Sequence, residues 1–117
     1  MSKQADPATV DGSLRLGGGV HEEERARIVK HWGRLDQRLR SFRSDEVDME
    51  ISVKDRDTPS QHTTLETWIA RRPRLVATST KTDFGSALTE VRDDMIRQLT
   101  DAKNRTEPRN NRHRRRR

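Results

Sequence analysis

Residues 46–55, "EVDMEISVKD", alternate between apolar and polar without a break. Val47, Met49, Ile51 and Val53 share one side, and Asp48, Glu50, Ser52 and Lys54 the other. Successive side chains of a strand point to opposite faces, so the pattern predicts a half-buried strand with one wet face. Such a strand needs neighbours along its edges and an apolar layer over its dry face. The flanking sequence has to supply both.

Downstream, "RDTPSQ" breaks the pattern with Pro59 in a loop. "HTTLETWIA" then predicts a second strand with Leu65, Thr67 and Ile69 on one face, and "LVATSTK" a third. The short turn between them makes a hairpin tipped by Arg71, Arg72, Pro73 and Arg74. Trp68 would face away from the core if Leu65 and Ile69 face in.

The apolar layer comes from two helices. Ile28, Trp32, Leu35, Leu39 and Phe42 recur at helical period within about residues 22–42, with Val29 at the edge. Glu22, Glu23 and Glu24 open this helix and Arg40 and Arg43 close it, as the helix dipole prefers. A second, longer helix is "TDFGSALTEVRDDMIRQLTDAKNR", with Phe84, Leu88, Val91, Met95, Leu99 and Ala102 as its stripe. Thr82 or Asp83 is its expected N-cap, and Pro108 lies beyond its end. "SLRLGGGV" allows a short first strand around Leu14 and Leu16, followed by a glycine turn.

The expected fold is therefore α+β, a two-layer sandwich of order β-α-β-β-β-α with two helices on one face of a small antiparallel sheet. Residues 1–13 read as a disordered lead, 14–105 as the domain and 106–117 as a basic disordered tail. The expected core is Ile28, Trp32, Leu35, Leu39, Met49, Ile51, Val53, Leu65, Ile69, Val76, Phe84, Leu88, Val91, Met95 and Leu99.

With 28% hydrophobic and 38% charged residues, the chain can form only a small core. There is no cysteine, hence no disulfide framework and no thiolate chemistry. No stretch approaches a membrane span and no apolar signal core opens the chain, so a cytoplasmic protein without membrane contact is expected. His21, His31, His62 and His113 lie in different elements, and none forms an H-x-x-x-H pair, so no metal site is expected. Neither a G-x-S-x-G elbow nor a phosphate-cradling glycine motif is present, and "LGGGV" lacks the spacing of either. No nucleophile, base and orienter come together, so the expectation is a non-enzyme with no cofactor and no small-molecule substrate.

The charge is more informative. The net charge of +6 resides entirely in residues 101–117, where eight basic residues face two acidic ones. The stretch 20–100 is neutral overall but polarised, for residues 25–43 carry seven basic residues against Asp36 alone. On a helical projection Arg27, Lys30, Arg34 and Arg38 fall between about 200° and 280° from Ile28, one ridge beside the apolar stripe, with His31 next to it. An isolated basic ridge is most often a solvated helix face. Three arginines on one hairpin tip and a cationic tail weigh toward a polyanion as partner.

The second helix resembles the last helix of the ribosome hibernation-promoting factor family. Its short members share the β-α-β-β-β-α order. The likeness lies in Asp83-Phe84, Ala87, Arg97-Gln98-Leu99, Lys103 and Arg105, and in the first helix in "HWGRLDQRLRSF", which places His31 and Arg34 at positions that tend to be basic. It covers roughly Leu14 to Arg105. Asp93-Asp94 and Asp101-Ala102 depart from it, standing where further basic residues are expected. The resemblance implies docking on small-subunit ribosomal RNA near the decoding region, and a block of translation by occupying messenger and transfer RNA sites. The residues expected to touch RNA are Arg27, Lys30, His31, Arg34, Arg38, Arg71, Arg72, Arg74, Arg97, Lys103 and Arg105, with Arg112, Arg114, Arg115, Arg116 and Arg117 of the tail. A double-stranded-RNA-binding domain shares the α-β-β-β-α core but would place a basic cluster at the start of the second helix, where this chain has "TDFGSALTEV". A third reading is an interaction module whose arginine tail binds polyanions.

Overall fold

A computed structural model describes residues 6–105, with side chains through Ala102. The alternating stretch is strand β2 (Val47–Lys54), and its alternation is reproduced in burial residue by residue. It pairs antiparallel with β3 (His62–Ile69), which pairs antiparallel with β4 (Leu75–Ser79). The short strand β1 (Leu14–Leu16) adds to the other edge of β2, giving the order β1-β2-β3-β4.

β1 runs parallel to β2, so the sheet is mixed rather than wholly antiparallel. The cause is connectivity. The chain leaves β1 and returns to β2 through a helical crossover, and a crossover delivers the next strand in the same direction. Two arrangements hold this junction tight. Gly17 N–H donates to Ile51 O at 2.7 Å, and Gly19 adopts φ +82° with its Cα so close to β2 that a Cβ would lie 2.1 Å from Val53 O.

The crossover begins with a 3₁₀ turn at Glu22–Glu24, followed by α2 (Arg25–His31) and α3 (Gly33–Leu39), which take the place of the single expected helix. The short helix α1 (Val10–Ser13) precedes them, and α4 (Phe84–Arg105) completes the layer. The division falls at Trp32, with φ −101° and ψ 32°. Its indole is fully buried and donates to Leu88 O of α4 at 2.9 Å, and the adjacent Gly33 can absorb the local bend. The backbone ladder nevertheless bridges the break. Trp32 N–H reaches Ile28 O and Asp36 N–H reaches Trp32 O, so helical register carries through from α2 to α3. The helix ends at Leu39, leaving Phe42 buried in the connection to β2 rather than within the helix.

Arg27 lies against Phe84, His31 against Thr89 and Trp32 against Leu88, so α2–α3 and α4 run side by side in the same direction. Both cover the face of the sheet that carries Met49, Ile51, Leu65 and Ala77. Asp83 caps α4, accepting from Ser86 N–H at 2.9 Å and holding its own carboxyl below the usual range.

Fourteen of the fifteen expected core residues are buried, and Val76 is the exception. It stands opposite Glu66 on the wet face, while Leu75 and Ala77 turn inward. Residues 6–13 also differ from the expected disordered lead. Ala8 and Val10 are fully buried, Ala8 N–H donates to Phe42 O, Ser44 N–H donates to Asp6 O and Val10 N–H donates to Asp36 Oδ1. Two small apolar residues were enough to seat this segment because the backbone finds partners along it. Residues 1–5 and the expected tail, 106–117, lie outside the described residues. Among the described residues no helix is long and apolar enough to cross a membrane.

Candidate nucleic-acid interface

Because the backbone ladder bridges the break at Trp32, helical phase keeps Arg27, Lys30, Arg34 and Arg38 on one side of α2 and α3, as a ridge. Arg27, Lys30 and Arg34 are exposed and Arg38 is half-buried. At 1.5 Å per residue the ridge extends about 16 Å. It flanks the groove in which α2–α3 meets α4.

The neighbourhood of each cation separates this ridge from other charged surface. Arg15 pairs with Asp48, Arg25 with Glu22, Arg40 with Asp36, Arg43 with Asp45, Arg56 with Glu24, and Arg92 with Asp93. Among the described residues, Arg27, Lys30, Arg34 and Arg38 form no close ion pair, although Arg27 lies over Phe84 and helps lower the pKa of the Asp83 carboxyl. The acid that interrupts the basic run, Asp36, is on the other side of the helix, occupied by Arg40 and by Val10 N–H. Unpaired cations attract polyanions most strongly, since no internal pair must be broken first.

The remaining expected contacts do not join this ridge. His31 Nε2 lies 2.8 Å from Thr89 Oγ1 inside the helix contact, where burial, then Arg92 and Arg27, push its pKa below the ordinary value. It is therefore a neutral packing group and not a phosphate cation near neutral pH. Arg71 and Arg74 are held on the hairpin by Glu46 at 3.8 Å and Glu66 at 3.1 Å. Arg72 stacks over Phe42 at 5.5 Å. Arg97 pairs with Asp94 on the side of α4 that faces Thr78, Ser79 and Thr80, away from α3. The set expected to touch RNA is thus divided among three surfaces, because helical phase fixes the ridge while turn and strand geometry fix the others. The backbone of Lys103 and Arg105 belongs to α4, but their side chains lie outside the described residues, as do Arg112 and Arg114–Arg117.

Arg92 is a member of the groove that the sequence reading missed. Its guanidinium donates to His31 O at 3.3 Å and its side chain is 16% exposed. The available signal was its place one turn after Leu88, on the flank of the α4 stripe that must meet a neighbouring helix. At the entrance to the groove, Arg56 lies 4.0 Å from the Phe84 ring centroid and Arg27 lies 5.6 Å from it. Among the described residues no group of three or more His, Asp or Glu is placed to hold a metal ion. The chain matches no known protein family and no curated protein.

Proposed function

We propose that this domain binds structured RNA through the α2–α3 ridge. Following the resemblance of its helices to the hibernation-promoting family, that RNA belongs to the small ribosomal subunit near the decoding region. Bound there, the protein blocks translation in the cytoplasm by standing where messenger and transfer RNA would lie. It acts by occupancy, as a binding protein and not as an enzyme.

The observation that carries the reading is the ridge of unpaired cations, Arg27, Lys30, Arg34 and Arg38, in a layer whose other described arginines are neutralised by carboxylates. Cations in a line about 16 Å long suit a phosphate backbone, and folded RNA is read largely by shape and backbone. The arginine tail would add contacts that carry no sequence information.

The test is cosedimentation with purified small subunits across a salt series, beside translation of a reporter message in a reconstituted system. Arg34→Ala and Lys30→Ala should each lower the log–log salt slope by about 0.7–0.9 and relieve the translation block. Arg97→Ala should change both much less. Retention of full binding by the Lys30→Ala/Arg34→Ala double variant would refute the reading.

A further inference from the structure

The wet face of the sheet, on the opposite side from the helices, holds polar groups of a different kind. At the end where β2 leaves the sheet and β3 enters it, an open cleft of about 600 Å³ is lined by Gly18, Ser52, Lys54, Asp55, His62 and Thr64, among others. Strand register sets Ser52 opposite Thr64 and Lys54 opposite His62. Directly opposed side chains start about 5 Å apart, so these four converge on a patch the size of one small anion.

None of the four side chains has a hydrogen-bond or ion-pair partner among the described residues. The rest of the same face behaves differently. Arg15 closes on Asp48 at 3.3 Å and on Glu50 at 3.7 Å, and Arg74 closes on Glu66 at 3.1 Å. Lys54 is thus an unpaired cation at one end of a face on which Arg15 and Arg74 are both paired with carboxylates.

The glycine run points to the same place. Gly19 is demanded by packing, since a Cβ there would lie 2.1 Å from Val53 O at a positive φ, and at Gly17 a Cβ would crowd Ile51 O at 3.1 Å. Gly18 has no such reason. A Cβ there would meet nothing within 4 Å, and its φ is not in the left-handed region. What its lack of a side chain does achieve is bare backbone beside the cleft, and its N–H donates to no described group. Bare backbone amides are favoured where an anion approaches.

Asp55 narrows the chemistry. It lines the cleft, its carboxylate has no partner among the described residues, and that charge would repel a bare dianion. A carboxylate beside a phosphate site accepts hydrogen bonds from sugar hydroxyls. We propose that this cleft binds a small phosphorylated polyol of the pentose phosphate or nucleoside monophosphate class. Lys54, His62, Ser52, Thr64 and the Gly18 N–H hold the phosphate, and Asp55 holds a hydroxyl. The imidazole can donate in either charge state, because the neutral ring retains one N–H. The site lies across the sheet from the ridge and does not depend on the RNA reading.

The experiment is amide chemical-shift titration of the ¹⁵N-labelled full chain at physiological salt with ribose 5-phosphate, AMP, ribose and inorganic phosphate. Ribose 5-phosphate or AMP should give saturable shifts at Gly18, at Ser52–Asp55, and at His62 and Thr64, and ribose should give none. Lys54→Gln and Thr64→Val should each weaken binding about tenfold, with otherwise native spectra that certify folding. Asp55→Asn should weaken ribose 5-phosphate and tighten inorganic phosphate. Shifts confined to the α2–α3 ridge or the arginine tail, absence of saturation at the cleft, or an Asp55→Asn variant that moves both ligands in the same direction would overturn the proposal.

Discussion

Glu24 and Arg56 make a bond whose strength can be checked by acid. The Arg56 guanidinium donates twice to the Glu24 carboxylate, at 3.0 and 2.7 Å, and His21 N–H donates to it a third time at 2.9 Å. The Arg56 hydrogen bond, chiefly, lowers the Glu24 pKa from 4.5 to about 2. The Glu24 side chain is only 15% exposed and Arg56 19%, so solvent screening is modest. A depressed carboxylate pKa means that the unfolded chain takes up its proton first as pH falls. The stabilisation is therefore complete above about pH 5 and is lost as pH drops from 4.5 toward 2. The displacement amounts to about 3 kcal/mol. Urea unfolding of the native chain and of Glu24→Gln, at fixed ionic strength from pH 7 to pH 2.5, separates this carboxylate from every other. The native chain should be the more stable by about 3 kcal/mol at pH 7, and the gap should close in acid. A gap that is small at pH 7, or that persists unchanged at pH 2.5, would refute the argument. Arg56→Met should shrink the difference between the two chains to the part that the His21 N–H bond supplies, and the double-mutant cycle measures the remainder as the Glu24–Arg56 coupling.

His31 has the opposite charge type and a related sign. Its lowered pKa means that the fold favours the neutral ring, so its contribution is present above about pH 6.5 and lost as pH falls below it. His31→Gln should therefore flatten the dependence of the urea midpoint between pH 7.5 and 5.5. Trp32→Phe removes the bond to Leu88 O and part of a fully buried ring, and should cost about 2 kcal/mol by the same assay. Gly19→Ala places a methyl group against Val53 O at a positive φ, and should lower the thermal midpoint by several degrees, whereas Gly18→Ala should leave it nearly unchanged.

The elements that were legible in the sequence are those whose periodicity was strong. β2, β3 and the stripe of α4 could be read because each buries one face of a regular array. Val76 was assigned to the wrong face because Leu75 and Val76 are both apolar, and only pairing with β3 decides between them. The parallel placement of β1 and the seating of Ala8 and Val10 depend on backbone partners far along the chain, which no local pattern encodes. The candidate ridge was legible for the same reason as the helix that carries it. Whether a given arginine is free or neutralised was not, because Glu46 and Glu66 reach Arg71 and Arg74 across strands. Nothing in the sequence joins Lys54 to His62, which are eight residues apart and meet only through strand register.

The chain contains two tryptophans, and the sheet separates them. Trp32 is sealed beneath the helices, while Trp68 is half-buried on the far side with the Arg15 guanidinium 5.4 Å from its ring. Each side of the sandwich therefore carries its own built-in fluorophore. A water-soluble quencher such as iodide should reach the outer indole far more readily than the inner one. Swapping either indole for phenylalanine turns the protein into an optical gauge of one surface at a time.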